Sequence, residues 1–162
     1  MQIRMKRAYL RATLAGVMAA LLGAAAVAQS TDVGTWKLNL TKSTYSPGPT
    51  PKSGTTKIEA VGQGRKFIVD QPQVDGSMLH WEFTANFDGK DSPVTGNNPN
   101  ADMVALTRIN ANTIQIVNKK SGRVTTTQTS VVSTDGKTRT NTTKGMNPAG
   151  QPVSNVAVFE RQ

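Results

Sequence analysis

The chain of 162 residues has no cysteine. That excludes a disulfide framework, a thiol nucleophile, a cysteine-ligated zinc and an iron–sulfur cluster. It has one histidine, His80, so a histidine-rich metal site is excluded too and one conventional general base remains. Aromatic residues make up 5%, too few for the two aromatic girdles of an outer-membrane barrel. Basic residues are scattered, and the densest groups are Arg65-Lys66 and Lys119-Lys120. Nucleic-acid binding needs clustered charge with stacking aromatics, so no nucleic-acid partner is expected. From residue 33 onward no stretch shows the 3.6-residue apolar period of an amphipathic helix.

What is present begins with an address. "MQIRMKRAYLR" carries Arg4, Lys6, Arg7 and Arg11 and no acid. A 17-residue apolar run follows, and Ala26-Val27-Ala28 closes it. This order of charged, apolar and small-x-small segments is that of a cleaved secretory signal. The run is short of the ~20 strongly apolar residues of a spanning helix. The expectation is a signal peptide over 1–28, cleavage after Ala28, and export to the periplasm or the medium. The remainder, 29–162, holds 15 basic residues against 10 acids, a net charge of +5. It is expected to be one monomeric domain without an integral membrane segment.

Short runs of period-two alternation, each ended by a turn signal, fill that remainder, as in an antiparallel all-β domain. "TWKLNL" puts Trp36, Leu38 and Leu40 on one face. "TTKIEAV" and "RKFIVDQ" follow, and in "MLHWEFTANF" Leu79, Trp81, Phe83, Ala85 and Phe87 share a face. Asp88-Gly89-Lys90 reads as a turn and "DSPVTGNNPNAD" as a long polar loop. "MVALTRI" and "TIQIVNK" form a hairpin around Asn110-Ala111-Asn112. Ser121-Gly122 leads to "RVTTTQTSVVS", Asp135-Gly136 to "TRTNTT", and "VSNVAVFER" is last. These nine strands suit a small up-and-down barrel of about 8–9 strands, with a β-sandwich as the alternative. A second Asp-Gly-Lys, at 135–137, echoes the first; the echo reads as meander geometry.

Gly34-Thr35-Trp36-Lys37-Leu38 resembles the opening strand of the calycin superfamily, the lipocalins and fatty-acid-binding proteins, where a Gly-x-Trp packs its Trp across the closed end of a barrel. "TDGKTRTNTTKG" and the terminal "VFERQ" resemble the last hairpin and strand of the fatty-acid-binding proteins. "GTWKLN", "HWEFTANFDGKDSPVTG" and the tail are also similar to small exported bacterial proteins described as lipocalin-like. The resemblance implies a barrel with an internal ligand. Two departures qualify it. The Arg-x-Tyr pair that grips a fatty-acid carboxylate in that family falls on Ala157 and Phe159, which cannot bind one. Residues 41–53 are too short and too rich in proline for the family's helical lid.

The remaining chemistry is sparse. His80 shares a polar strand face with Glu82 and Thr84 and has no Gly-x-Ser-x-Gly partner. It reads first as a surface residue. Glu59 and Glu82 would resemble a glycosidase pair only if their strands were neighbours. Asn97, Asn98, Asn100 and Asp102 lack the spacing and acidity of an EF-hand. In "RVTTTQTSVVS" and "TRTNTT" both faces are polar, which argues against a wholly apolar interior. The sequence expectation is therefore an exported carrier of a small apolar or amphipathic molecule, not an enzyme, with no cofactor. Its pocket walls would be Trp36, Trp81, Phe83 and Phe159, with Arg108 or Arg139 as anchor. The alternative is an exported β-domain that binds cell wall, polysaccharide or protein through its surface.

Overall fold

The structure, a computed structural model, describes residues 31–162. The segment expected as a signal peptide lies outside the described residues. Ten antiparallel strands run in chain order: β1 (Gly34–Thr44), β2 (Thr55–Val61), β3 (Gly64–Pro72), β4 (Met78–Ala85), β5 (Asp88–Gly96), β6 (Met103–Asn110), β7 (Thr113–Lys120), β8 (Arg123–Val132), β9 (Thr138–Met146) and β10 (Pro152–Arg161). Each pairs with its neighbours in sequence, and β1 pairs with β10 to close the barrel. Closure removes the unpaired edges that a sandwich would have to protect. No helix occurs among the described residues.

Nine of these strands carry the alternation that the sequence displays. The tenth, β5, occupies the segment read as a turn and loop. Its pattern is exposed except at Ser92 and Val94, and Val94 is the one apolar side chain it packs against the core. Three residue pairs join it to β4, and its pairing with β6 shifts between Asp88 and Asp91. Asp88 keeps the local turn chemistry, its Oδ1 accepting from Lys90 N at 3.0 Å. A strand held by its neighbours' backbones rather than by an apolar face leaves no periodic signal.

β1 also departs from simple alternation. Its pairing with β10 jumps from Asn39↔Val158 to Thr44↔Val156. The extra residues form a bulge in which Ser43 Oγ donates to Asn39 O at 2.6 Å and accepts from Val158 N at 2.9 Å. Leu40 is therefore turned outward and is 37% exposed, while Trp36 and Leu38 stay buried. A bulge re-aims every side chain beyond it.

The Asp-Gly-Lys echo has a structural counterpart at the other ends of the strands. Gly96 on β5 lies opposite Trp81, and Gly145 on β9 lies opposite Thr126. Both have positive φ, +95° and +146°. A Cβ at either would stand 2.2 Å from a backbone oxygen, that of His80 or of Thr125. Each glycine opens a loop of the form Gly-x-Asn-Pro, at 96–99 and 145–148, and both loops reach the barrel's mouth.

One end of the barrel is shut. Trp36 is fully buried there, its Nε1 donating to Asp32 O at 3.0 Å. Arg161 lies over the Trp36 ring, 4.2 Å from guanidinium carbon to centroid. It donates to Gly136 O at 2.6 Å, to Val33 O at 2.7 Å and to Thr31 O. One guanidinium thus ties the start of the described chain, the β8–β9 turn and the last strand together. Asp32 receives Arg65 through both oxygens, at 2.8 and 3.1 Å. Phe87 sits under two guanidiniums, Arg108 at 4.0 Å and Arg65 at 5.1 Å from its centroid.

Candidate functional site

Above this floor the barrel is hollow. A cavity of about 400 Å³ runs from the middle of the barrel to the opposite end. It lies within the size range of small-molecule sites. Its wall is divided by composition. β3 and β4 contribute Phe67, Val69, Leu79, Trp81 and Phe83, together with one polar residue, Gln71. Phe67 and Phe83 are cross-strand partners and stack with centroids 4.6 Å apart. β8 and β9 contribute Thr126, Gln128, Arg139, Asn141 and Thr143. In the closed order of ten strands β3 stands opposite β8 and β4 opposite β9. A mainly apolar wall therefore faces a polar one across the lumen. Thr56 on β2, Ile116 and Asn118 on β7, and Val153, Asn155, Ala157 and Phe159 on β10 complete the ring.

The mouth is bordered by Tyr45, Pro47, Pro49 and Pro51 from the β1–β2 loop, by Asn98 and Asn100, and by Asn147. The proline loop occupies the place where the resemblance would put a helical lid. It is tied to β10 by Ser154 N donating to Ser46 O at 2.7 Å and by Ser46 N donating to Asn155 Oδ1 at 2.8 Å. Burial pushes the Tyr45 phenol up to about 12. Asn98 Oδ1 accepts from Asn100 N and Ala101 N, and Asn147 Oδ1 accepts from Gln151 N. These amides shape the two Gly-x-Asn-Pro loops from within.

Among the described residues, Arg139 is the one charged side chain on the cavity wall. It is 2% exposed. Its Nε donates to Ser130 Oγ at 2.7 Å, and Phe67 and Phe159 flank it with centroids 5.8 and 5.6 Å away. Its Nη1 has no hydrogen-bond partner among the described residues, and neither does Asn141 Oδ1. Removal from water lowers the guanidinium to about 10, with Asp32 acting in the opposite sense. It stays charged at neutral pH. Buried polar atoms are nearly always paired, so an orphan donor and an orphan acceptor two residues apart on one lumen face mark an incomplete site.

Of the residues expected on the pocket wall, Trp81, Phe83, Phe159 and Arg139 line the cavity. Trp36 and Arg108 do not. Trp36 belongs to the sealed floor, and Arg108 is engaged by Phe87 and lies 3.8 Å from Asp32. Both point inward, and alternation reports the inward face without reporting depth along the barrel. Sequence reasoning missed the amide-lined mouth and the clasp of Arg161. His80 stands on the outside, its Nδ1 2.7 Å from Asp70 Oδ1, both half-exposed. Glu59 and Glu82 lie on strands separated by β3 and pair instead with Lys57 at 2.7 Å and Lys66 at 3.0 Å. No cluster of three His, Cys, Asp or Glu able to hold a metal occurs among the described residues.

The topology and the enclosed cavity define the class of fold: a closed up-and-down antiparallel barrel with room inside. Among solved structures the chain is similar to the zebrafish ileal bile acid-binding protein complexed with cholic acid. Identity is 14%, the TM-score is 0.48, and the match covers 82% of this chain and all of the other. At that similarity nothing about ligand or chemistry passes from one protein to the other. No protein-family model and no curated protein matches the chain.

Proposed function

We propose that this protein is an exported carrier that holds one small amphipathic molecule in its lumen. The observation that carries the reading is the division of the cavity wall. A core meant only to be filled has no use for a hydrogen-bonding wall of Thr, Gln and Asn, because each such group costs free energy unless paired. A passage for water has no use for a stacked Phe pair with Trp81 and Leu79 beside it. A flat or elongated molecule with one apolar face and one polar face satisfies both walls together. Support for export is the charged, apolar and small-x-small order of residues 1–28. Carriage rather than catalysis is favoured by the position of His80, outside the barrel and away from the cavity.

Chemical-shift mapping of the protein beginning at Gln29 tests the reading. The probe is N-phenyl-1-naphthylamine, a neutral apolar fluorophore. The expected result is a set of shifted amides confined to lumen residues, among them Val69, Trp81, Gln128 and Asn141. Shifts confined to the exterior of the barrel would instead support the surface-binding alternative.

A further inference from the structure

The carrier reading leaves the chemical class of the cargo open; Arg139 narrows it. Arg65 and Arg108 both reach Asp32, and Arg161 covers Trp36 at the floor. Asp32 is the carboxylate among them, and Arg65 already holds both of its oxygens. The cavity wall itself contains no Asp or Glu among the described residues. Arg139 therefore faces the lumen as a buried cation whose Nη1 donates to nothing described. Ser130 fixes the guanidinium from one side through Nε, and Phe67 and Phe159 flank it. A side chain of five donors held in that way is built to receive a planar or forked anion.

We propose that the cargo is an anionic amphiphile that enters head first. Its carboxylate or sulfonate seats on Arg139 Nη1 at the bottom of the lumen, and its apolar body lies along Phe67, Phe83 and Trp81. This rests on the carrier reading. The anchor differs in place from the Arg-x-Tyr pair on the last strand, whose positions are Ala157 and Phe159 here. β9 supplies the cation instead.

Two dyes separate the anion from its body. 8-Anilino-1-naphthalenesulfonate and N-phenyl-1-naphthylamine share a skeleton and differ by the sulfonate. Each is titrated by fluorescence into the protein beginning at Gln29 and into three variants. Arg139→Met removes the cation. Asn141→Asp places a carboxylate beside it and keeps the side chain's shape. Arg123→Gln removes an exposed cation on the outside as a control. The wild type is expected to bind the sulfonate at least tenfold tighter than the neutral dye. Arg139→Met and Asn141→Asp are each expected to weaken the sulfonate tenfold or more and to change the neutral dye less than twofold. Arg123→Gln is expected to change neither. If Arg139→Met does not fold, Asn141→Asp and the wild-type ratio decide. Equal binding of both dyes, unmoved by either lumen variant, would overturn the anion site and leave the carrier reading standing. Binding of neither dye would overturn both.

Discussion

Individual residues divide into those that shut the barrel and those that line it. Trp36, Arg161, Asp32 and Arg65 belong to the first group. Asp32 and Arg65 are each 6% exposed in the side chain and only 2.8 Å apart. Breaking a buried pair strands its partner's charge. Asp32→Ala is accordingly expected to destabilise the fold by about 3–5 kcal/mol, read as a lowered urea midpoint. Trp36→Ala should cost a similar ~3–5 kcal/mol, for the cavity it leaves. Tyr45 belongs to the second group, and from Gln29 onward it is the one tyrosine in the chain. Ultraviolet titration therefore reads it alone. A midpoint near 12 is expected, and a midpoint near 10 would mean an open, solvated mouth. The sign follows from the raised value. The neutral phenol favours the folded state, so this contribution is complete below pH about 10 and is lost as pH rises through about 12. Alternation in "TRTNTT" already placed Arg139 and Asn141 on one face, and in "MLHWEFTANF" it placed Trp81 with Phe83. What it could not supply was height in the barrel. Trp36 and Arg108 share the inward face with Phe159 and Arg139, and only the three-dimensional stagger of the strands separates floor from wall.

The elements were legible in proportion to their apolar content. β4 and β7 bury alternate residues, β6 buries Val104, Ala105 and Leu106 in a row, and all three stand out in the sequence. β8 and β9 do so more faintly, because Thr suits both faces. β5 has one packed apolar side chain, Val94, together with Pro93 and terminal glycines, so composition alone reads it as loop. Its weakness is physical as well as informational. The pairing of β5 with β4 covers three residue pairs against eight for β3 with β4. Amide hydrogen exchange should be fastest in β5 among the ten strands, because local opening there breaks the fewest cross-strand residue pairs. Slow exchange throughout β5, matching β3, would contradict this. Gly96 ends β5 and Gly145 is the last residue but one of β9. At Gly96 and Gly145 a Cβ meets a backbone oxygen, whereas at Gly76 it meets open space. Gly96→Ala and Gly145→Ala should each lower stability by well over about 1 kcal/mol. Gly76→Ala carries only the strain of its φ of +86°, and should cost less than either in the same urea experiment.

At the scale of the molecule, the barrel sets one wall against its opposite. Ten strands in sequential order place β3–β4 diametrically across from β8–β9. Stacked aromatics therefore look across about 400 Å³ at Gln, Thr, Asn and a buried Arg. The sequence contains both halves of that arrangement, but their opposition depends on strand order and closure, which alternation does not encode. The closed floor, clasped by Arg161, lets the lumen stay open at the other end without loss of the core. On the carrier reading the lumen itself holds the cargo. Filling the lumen tests this. Ala157 is buried on the lumen wall, and Ala157→Trp would occupy much of the free volume while leaving the exterior unchanged. Native mass spectrometry of the wild-type protein with N-phenyl-1-naphthylamine is expected to show one bound molecule per chain, and Ala157→Trp is expected to show none. Adducts that persist unchanged in Ala157→Trp, or none in the wild type, would mean that the lumen holds no cargo.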